Sequence, residues 1–298
     1  MSFLYKTTRM YFSFIIALIL VIVICFFLAP AQTTKKKAVN NTASGTVQSV
    51  NQSIQSQNES ISTTGQIIYG KSGLGANLIC TKISPVVTAK SKILMTFEIH
   101  GFEDLHPKDG QALVDIGNMV ANYFMNYRAQ LSGTQLYIAP SLNPDGLSQG
   151  YTNNGIGRCQ ASLGIDINRD FDYQFKVFNE ARNHTLGKPF SSSESQALRD
   201  LVNTIKPDVV IDCHGWYNKF IGDEWVANCF KNSLNIYTHE SFSDFNNGYF
   251  SAWAGTQGSK AMLLEYPPAA YSDSRAYADK TVNGIKQLIT ELNITKTS

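Results

Sequence analysis

The stretch Ile93-Leu-Met-Thr-Phe-Glu-Ile99, followed at once by His100-Gly-Phe-Glu103, decides the fold. The first part is apolar and rich in strand-favouring residues, so it reads as a buried strand. The second part is a glycine-containing turn that carries a histidine and a glutamate. Outward from this point, Leu113, Ile116, Val120, Phe124 and Tyr127 recur at steps of three and four and predict a helix over Gln111–Leu131. Thr134–Ala139 reads as a strand. Ser191-Ser-Ser-Glu194 has the capping-box pattern and opens a helix to about Ile205. Asp208–Cys213 and Ser259–Glu265 read as further buried strands, and Ser272 is expected to cap a last helix to about Leu292. Strands alternating with helices predict an α/β fold with a mixed, mostly parallel central sheet flanked by helices.

The chain has 298 residues, 43% hydrophobic and 16% charged, enough to bury a large core in one domain. A net charge of +2 gives no basic field, so nucleic acid is not an expected partner. Beyond Cys25, four cysteines remain: Cys80, Cys159, Cys213 and Cys229. Two readings stay open for them, disulfides in an exported protein or buried free thiols.

The amino-terminal part divides by composition. Residues 1–10 form a short cationic segment with Lys6 and Arg9; residues 11–30 contain an uncharged apolar run, expected to be a transmembrane anchor or a signal peptide. Residues 31–65 begin with Lys35, Lys36 and Lys37 and become rich in Asn, Ser, Thr and Gln. Such a segment cannot bury enough surface to offset its chain entropy, so a flexible tether is expected, with a reach of about 30 Å. Residues 66–298 then have the composition of a globular domain. The expected location is a membrane-anchored, extracytoplasmic domain, or a secreted one if the apolar segment is removed.

The chemistry-bearing residues share one position, since each follows an apolar strand. His100 and Glu103 follow Ile99, His214 follows Cys213, and Glu265 follows Leu264. In open α/β sheets such strand ends converge on a ligand site. Two His and one Glu are a hydrolytic zinc set, three protein ligands with a position left for water. An isolated H-x-x-E is weak evidence, and a lone His after a strand is more often a hydrogen-bonded structural residue.

The ordered set is more specific. His100-Gly-Phe-Glu103, Pro140-Ser-Leu-Asn-Pro-Asp-Gly146, Gly164-Ile-Asp-Ile-Asn-Arg-Asp-Phe171, Phe190-Ser-Ser-Ser-Glu-Ser-Gln196, Asp212-Cys-His-Gly215 and Leu264-Glu-Tyr-Pro267 occur in that order. Together they resemble the zinc-metallocarboxypeptidases of the carboxypeptidase A type, and within them the bacterial cell-wall-peptide branch. The resemblance covers roughly residues 66–295 and implies a zinc-carboxypeptidase-like fold. It implies one Zn2+ held by His100, Glu103 and His214, and Glu265 as general base. It implies Arg158 as the oxyanion-stabilising arginine, Asn168 and Arg169 as the grip on a terminal carboxylate, and Asp166 as the hydrogen-bond partner of His100. Arg suits a carboxylate because its planar fork donates two hydrogen bonds. Arg158 alone would read as an ordinary surface arginine beside the Gly-rich stretch Asn153–Gly157. Asn143-Pro-Asp-Gly146 is turn chemistry and is assigned shape rather than catalysis.

One segment departs from the family. Many members carry a tyrosine that folds over the substrate. Here Tyr249 is available for substrate binding, but its distance to Trp253 differs from the digestive enzymes, and both residues read equally well as core aromatics.

The expected activity is hydrolysis of a peptide bond next to a free carboxylate, with peptidoglycan stem peptides as the candidate substrate. The expected partners are that peptide and, through the amino-terminal segment, a membrane; the protein is expected to act as a monomer. Two alternatives remain: an N-acyl amino acid amidohydrolase of the aspartoacylase or succinylglutamate-desuccinylase type, and a catalytically inactive binding domain.

Overall fold

A computed structural model describes residues 64–150 and 152–295. The expected anchor and almost all of the expected tether lie outside the described residues, as does Cys25. Among the described residues no helix is long and apolar enough to cross a membrane.

The strands are β1 (Gly65–Lys71), β2 (Asn77–Ile83), β3 (Ser91–Phe97), β4 (Thr134–Ala139), β5 (Val209–Gly215), β6 (Lys219–Gly222), β7 (His239–Glu240) and β8 (Lys260–Tyr266). The helices are α1 (Asp109–Asn126), α2 (Pro144–Ser148), α3 (Ser193–Ile205), α4 (Glu224–Leu234), α5 (Phe250–Thr256) and α6 (Ser274–Thr295). The strands form one sheet in the order β1-β2-β4-β3-β5-β8-β6-β7. β3 pairs in parallel with β4 and β5, β5 with β8, and β6 with β7. The remaining pairs, β1 with β2, β2 with β4 and β6 with β8, are antiparallel. The fold is therefore mixed α/β, with a parallel centre and antiparallel flanks.

The period of two along the central strands sorts the core onto two faces. Ile93, Met95 and Phe97 of β3, Ile211 and Cys213 of β5, and Met262 and Leu264 of β8 pack against α1, α4 and α6. Leu94, Val210 and Ala261, one residue out of phase, pack against α3 and α5. The four cysteines Cys80, Cys159, Cys213 and Cys229 are buried free thiols. That settles the open cysteine reading in favour of packing.

Several predicted boundaries shift for local reasons. The Gln111–Leu131 helix is α1 followed by a separate 3-10 turn, Arg128–Leu131, because Tyr127 leaves helical geometry between them. The cap of α3 is Ser192, not Ser191: the Ser192 hydroxyl accepts from the backbone N–H of Ser195. Glu194 does not reach back to close a capping box, because its carboxylate accepts the N–H of Gly73 at 2.7 Å. Before α6, residues Tyr271–Asp273 form a 3-10 turn, and Asp273, not Ser272, closes it by accepting the N–H of Ala270. Gly65, assigned to the tether, already belongs to β1.

The bend after β3 aims the turn His100–Glu103. Glu98 there is fully buried with φ +54°, and Leu142 and Asn143 donate backbone N–H groups to its carbonyl. Burial pushes its carboxyl up to about 8, against the hydrogen bond from Ser141.

On the other face, Gly284 lets α6 approach α4. A Cβ there would stand 2.2 Å from the ring of buried Phe230. Gly284→Val is expected to lower the unfolding free energy by about 1–3 kcal/mol through overpacking, more than the under ~1 kcal/mol gained on leaving glycine in a helix. Denaturant titration checks this, and an unchanged midpoint would contradict it.

Candidate metal centre

Parity puts the site on the α3 and α5 face. Asp212 and His214 alternate with Ile211 and Cys213, so both point away from α1. Asp212 lies opposite Thr96, and His214 opposite Glu265. The Thr96 hydroxyl donates to Asp212 Oδ1 at 2.7 Å. His100 and Glu103 arrive from the turn that follows β3. Gly101 is required there, since a Cβ would lie 2.2 Å from the carbonyl oxygen of Gly157 and 2.5 Å from the Leu147 nitrogen. The Asp109 carboxylate holds the far side of the turn by accepting the N–H groups of Glu103 (2.9 Å) and Leu105 (2.7 Å).

The two imidazoles converge on one carboxylate. His100 Nδ1 lies 3.2 Å from Glu103 Oε2, and His214 Nδ1 lies 3.0 Å from Glu103 Oε1. One donor atom from each of the three residues falls within 4.8 Å of the others. The opposite ring nitrogens are held from behind, His100 Nε2 by Asp166 at 2.9 Å and His214 Nε2 by Asp212 at 3.0 Å. Asp166 therefore stands where the sequence reading put it.

The buried carboxylates and imidazoles here set one another's charge. Burial alone would raise Glu103, yet the charges of His100 and His214 hold it well below the usual carboxylate range. Burial would lower His214, yet Asp212 and Glu103 raise it well above an ordinary histidine. Asp166, also buried, is held low by His100, Arg169 and Arg158. Two imidazole Nδ1 atoms and one carboxylate, each imidazole backed by a second carboxylate, fit zinc by donor type and number.

The remaining predicted residues surround this point. A cavity of about 190 Å³ is lined by His100, Glu103, Arg158, Asn168, Arg169, His214, Tyr249 and Glu265 together. Glu265 is 9% exposed, and its Oε2 is buried without a hydrogen-bond partner. Burial pushes its carboxyl up to about 7, with His214 pulling it down and Glu103 pushing it up. Arg158 is not a surface arginine. It is 5% exposed, with one guanidinium nitrogen 3.2 Å from His100 Nε2 and another 3.6 Å from Glu103. Asn143 accepts the N–H of Gly146 at the start of α2 and donates to the Arg158 carbonyl at 3.0 Å. The turn assigned to shape thus fixes an arginine. The aromatic pair divides: Trp253 is in the core with Phe171 and Phe250, and Tyr249 lines the cavity.

The sequence reading missed Asp212 as a partner, although its i−2 position on the His214 strand was the available signal. It also missed Asp104, Arg182, Tyr217 and Leu263, which line the same cavity. Arg182 pairs with Asp104 from a single 3-10 turn, Ala181–Asn183, too short to show a periodicity.

Because Asp212 orients the His214 ring, Asp212→Ala is expected to weaken zinc affinity by about 10–100-fold. Competition against a chelator measures this, and an unchanged affinity would remove Asp212 from the site.

Comparison with known proteins agrees with this centre. Residues 47–287 match the family described as zinc carboxypeptidase. The chain is 36% identical over 239 residues to bacteriocin BCN5 of Clostridium perfringens, covering 77% of this chain and 26% of that protein. The chain therefore spans about a quarter of that relative's length. It is 24% identical over 226 residues to murein peptide amidase A of Escherichia coli, covering 69% of this chain and 83% of that protein. Among solved structures, bovine thrombin-activatable fibrinolysis inhibitor superposes with a TM-score of 0.65 at 17% identity, covering 84% of this chain and 98% of that one. Murein-tripeptide amidase MpaA from Escherichia coli O157 superposes with a TM-score of 0.57 at 22% identity, covering 75% and 92%. At such identities these structures speak for the fold. With the family match spanning most of the sequence, the chain belongs to the zinc carboxypeptidase family.

Proposed function

We propose that the protein hydrolyses a peptide bond next to a free carboxylate, with cell-wall stem peptides as substrate, at the outer face of a membrane to which its amino-terminal segment anchors it. The observation that carries the reaction is the single cavity joining the His100, Glu103 and His214 donors to Glu265 and to three arginines. The substrate reading rests on the name of the relative murein peptide amidase A and on the expected location of the domain.

His100, Glu103 and His214 would hold one zinc ion. When bound, zinc lowers the pKa of a water toward ~7 and polarises a carbonyl. Glu265 would take the proton of the attacking water and return it to the leaving nitrogen. Its Oε2 has no other partner, so the group is available for transfer. The buried guanidinium of Arg158 would donate to the oxygen on which negative charge develops, where low dielectric strengthens the interaction. Asn168 and Arg169 would grip the terminal carboxylate and so fix which bond meets Glu265.

Peptidoglycan fragments and general peptides, digested and read by mass spectrometry, test the substrate class. Release of acyl groups from N-acyl amino acids with no cleavage of peptides would favour the amidohydrolase alternative. Glu265→Gln is expected to cut kcat by about 10²–10⁴-fold while zinc stays bound; loss of zinc from this variant would contradict the base role. Arg169→Gln is expected to raise KM for a peptide with a free carboxylate by about 10–100-fold, the loss of a charge-assisted hydrogen bond. An unchanged KM would place the carboxylate elsewhere.

A further inference from the structure

The segment Gly248-Tyr249-Phe250 touches both residues of the carboxylate grip, and each of its three residues does so differently. The Arg169 guanidinium stacks over the Tyr249 ring with its carbon 4.6 Å from the centroid. The backbone N–H of Phe250 donates to Asn168 Oδ1 at 2.9 Å. Gly248 meets the Arg169 backbone so closely that a Cβ would lie 2.0 Å from the Arg169 oxygen and 2.3 Å from its carbonyl carbon. Its φ of +67° also favours glycine. Backbone hydrogen bonds join the two segments, from Phe171 N–H to the Gly248 carbonyl (3.2 Å) and from Gly248 N–H to the Tyr173 carbonyl (2.7 Å).

We infer that Gly248-Tyr249-Phe250 is the positioning element of the carboxylate grip, and that the Tyr249 ring acts through Arg169 rather than on the substrate. The inference rests on the proposed role of Arg169. Three constraints support it.

First, an arginine side chain has several rotatable bonds, and holding it still before binding removes an entropic cost from binding. Arg169 is held on three sides: by the Tyr249 face, by the Asn168 carbonyl, which accepts from it at 2.9 Å, and by Asp166 at 4.0 Å. Second, the Phe250 N–H fixes which way the Asn168 amide points. With Oδ1 engaged, Nδ2 is the donor end of the amide and is turned toward His214, 3.5 Å from its Nε2. Third, Tyr249 is the N-cap of α5: its carbonyl accepts the N–H of Trp253 at 3.0 Å, and its own N–H donates to the Asn246 carbonyl at 3.3 Å. Trp253 and Phe250 anchor that helix in the core. Tyr249 thus begins a packed helix. Its fixed backbone suits a platform.

The test is steady-state kinetics of the zinc-loaded enzyme on a short peptide ending in a free carboxylate. Tyr249→Leu removes the π face and is expected to raise KM by about 3–30-fold, the span of a cation–π contact from exposed to desolvated, with kcat changed far less. Tyr249→Phe is expected to recover most of that loss. In the Arg169→Gln background, Tyr249→Leu is expected to add almost nothing, because the two residues act as one unit. The inference is overturned if Phe loses as much as Leu, which would put the hydroxyl on the substrate. It is equally overturned if the two losses multiply in the double variant. Arg169→Gln alone with an unchanged KM would instead defeat the grip itself. Zinc content and melting temperature confirm that variants are comparable. If the Leu variant melts early, Tyr249→Gln keeps the length without the π face and carries the same comparison.

Discussion

The site depends on strand parity held across a parallel register. Asp212 and His214 are two residues apart on β5, so they leave the sheet on the same side. β3 and β8 lie on either side of β5 in parallel register, which brings Thr96 opposite Asp212 and Glu265 opposite His214. A slip of one residue in either pairing would turn these groups into the α1, α4 and α6 core. That slip is opposed by apolar partners on the other parity, such as Ile211, Cys213, Met262 and Leu264. The same alternation therefore builds the core and the centre, and neither can be changed alone.

What strand parity does not supply comes from loops that are tied to one another. The His100–Glu103 turn rests on Gly157, Leu147 and Asp109. Arg158 hangs from Asn143, and Arg169 lies on Tyr249. Asp109 is a local tie, whereas Gly101 with Gly157 and Arg169 with Tyr249 join segments far apart in sequence. The result is a polar centre whose imidazoles and carboxylates are oriented from behind, the arrangement that keeps rotamers fixed in a buried site.

Legibility in the sequence followed the range of the interactions. The strands β3, β4, β5 and β8 were readable because an apolar run of that length has few other fates. The candidate metal donors, Glu265, Asn168 and Arg169 stand out in the sequence because each closes a strand or sits in an ordered motif. Ser192 and Asp273 were missed as caps, since a run of serines or a turn offers several near-equal choices that tertiary contacts decide. The burial of Arg158 was invisible for the same reason: nothing local to Gly157-Arg158-Cys159 shows that Asn143 and Gly101 enclose it. Arg182 lies in a three-residue 3-10 turn, too short for a period to mark the side that faces the cavity.

The strand order carries a temporal consequence. β8 is the last strand in the chain, yet it lies between β5 and β6 and brings Glu265 beside His214. The donors His100, Glu103 and His214 are all synthesised before it. Glu265 is thus the last of the candidate residues to be made, on a strand that enters the middle of the sheet. The candidate centre is therefore incomplete in any chain that lacks the strand filling the middle of the sheet.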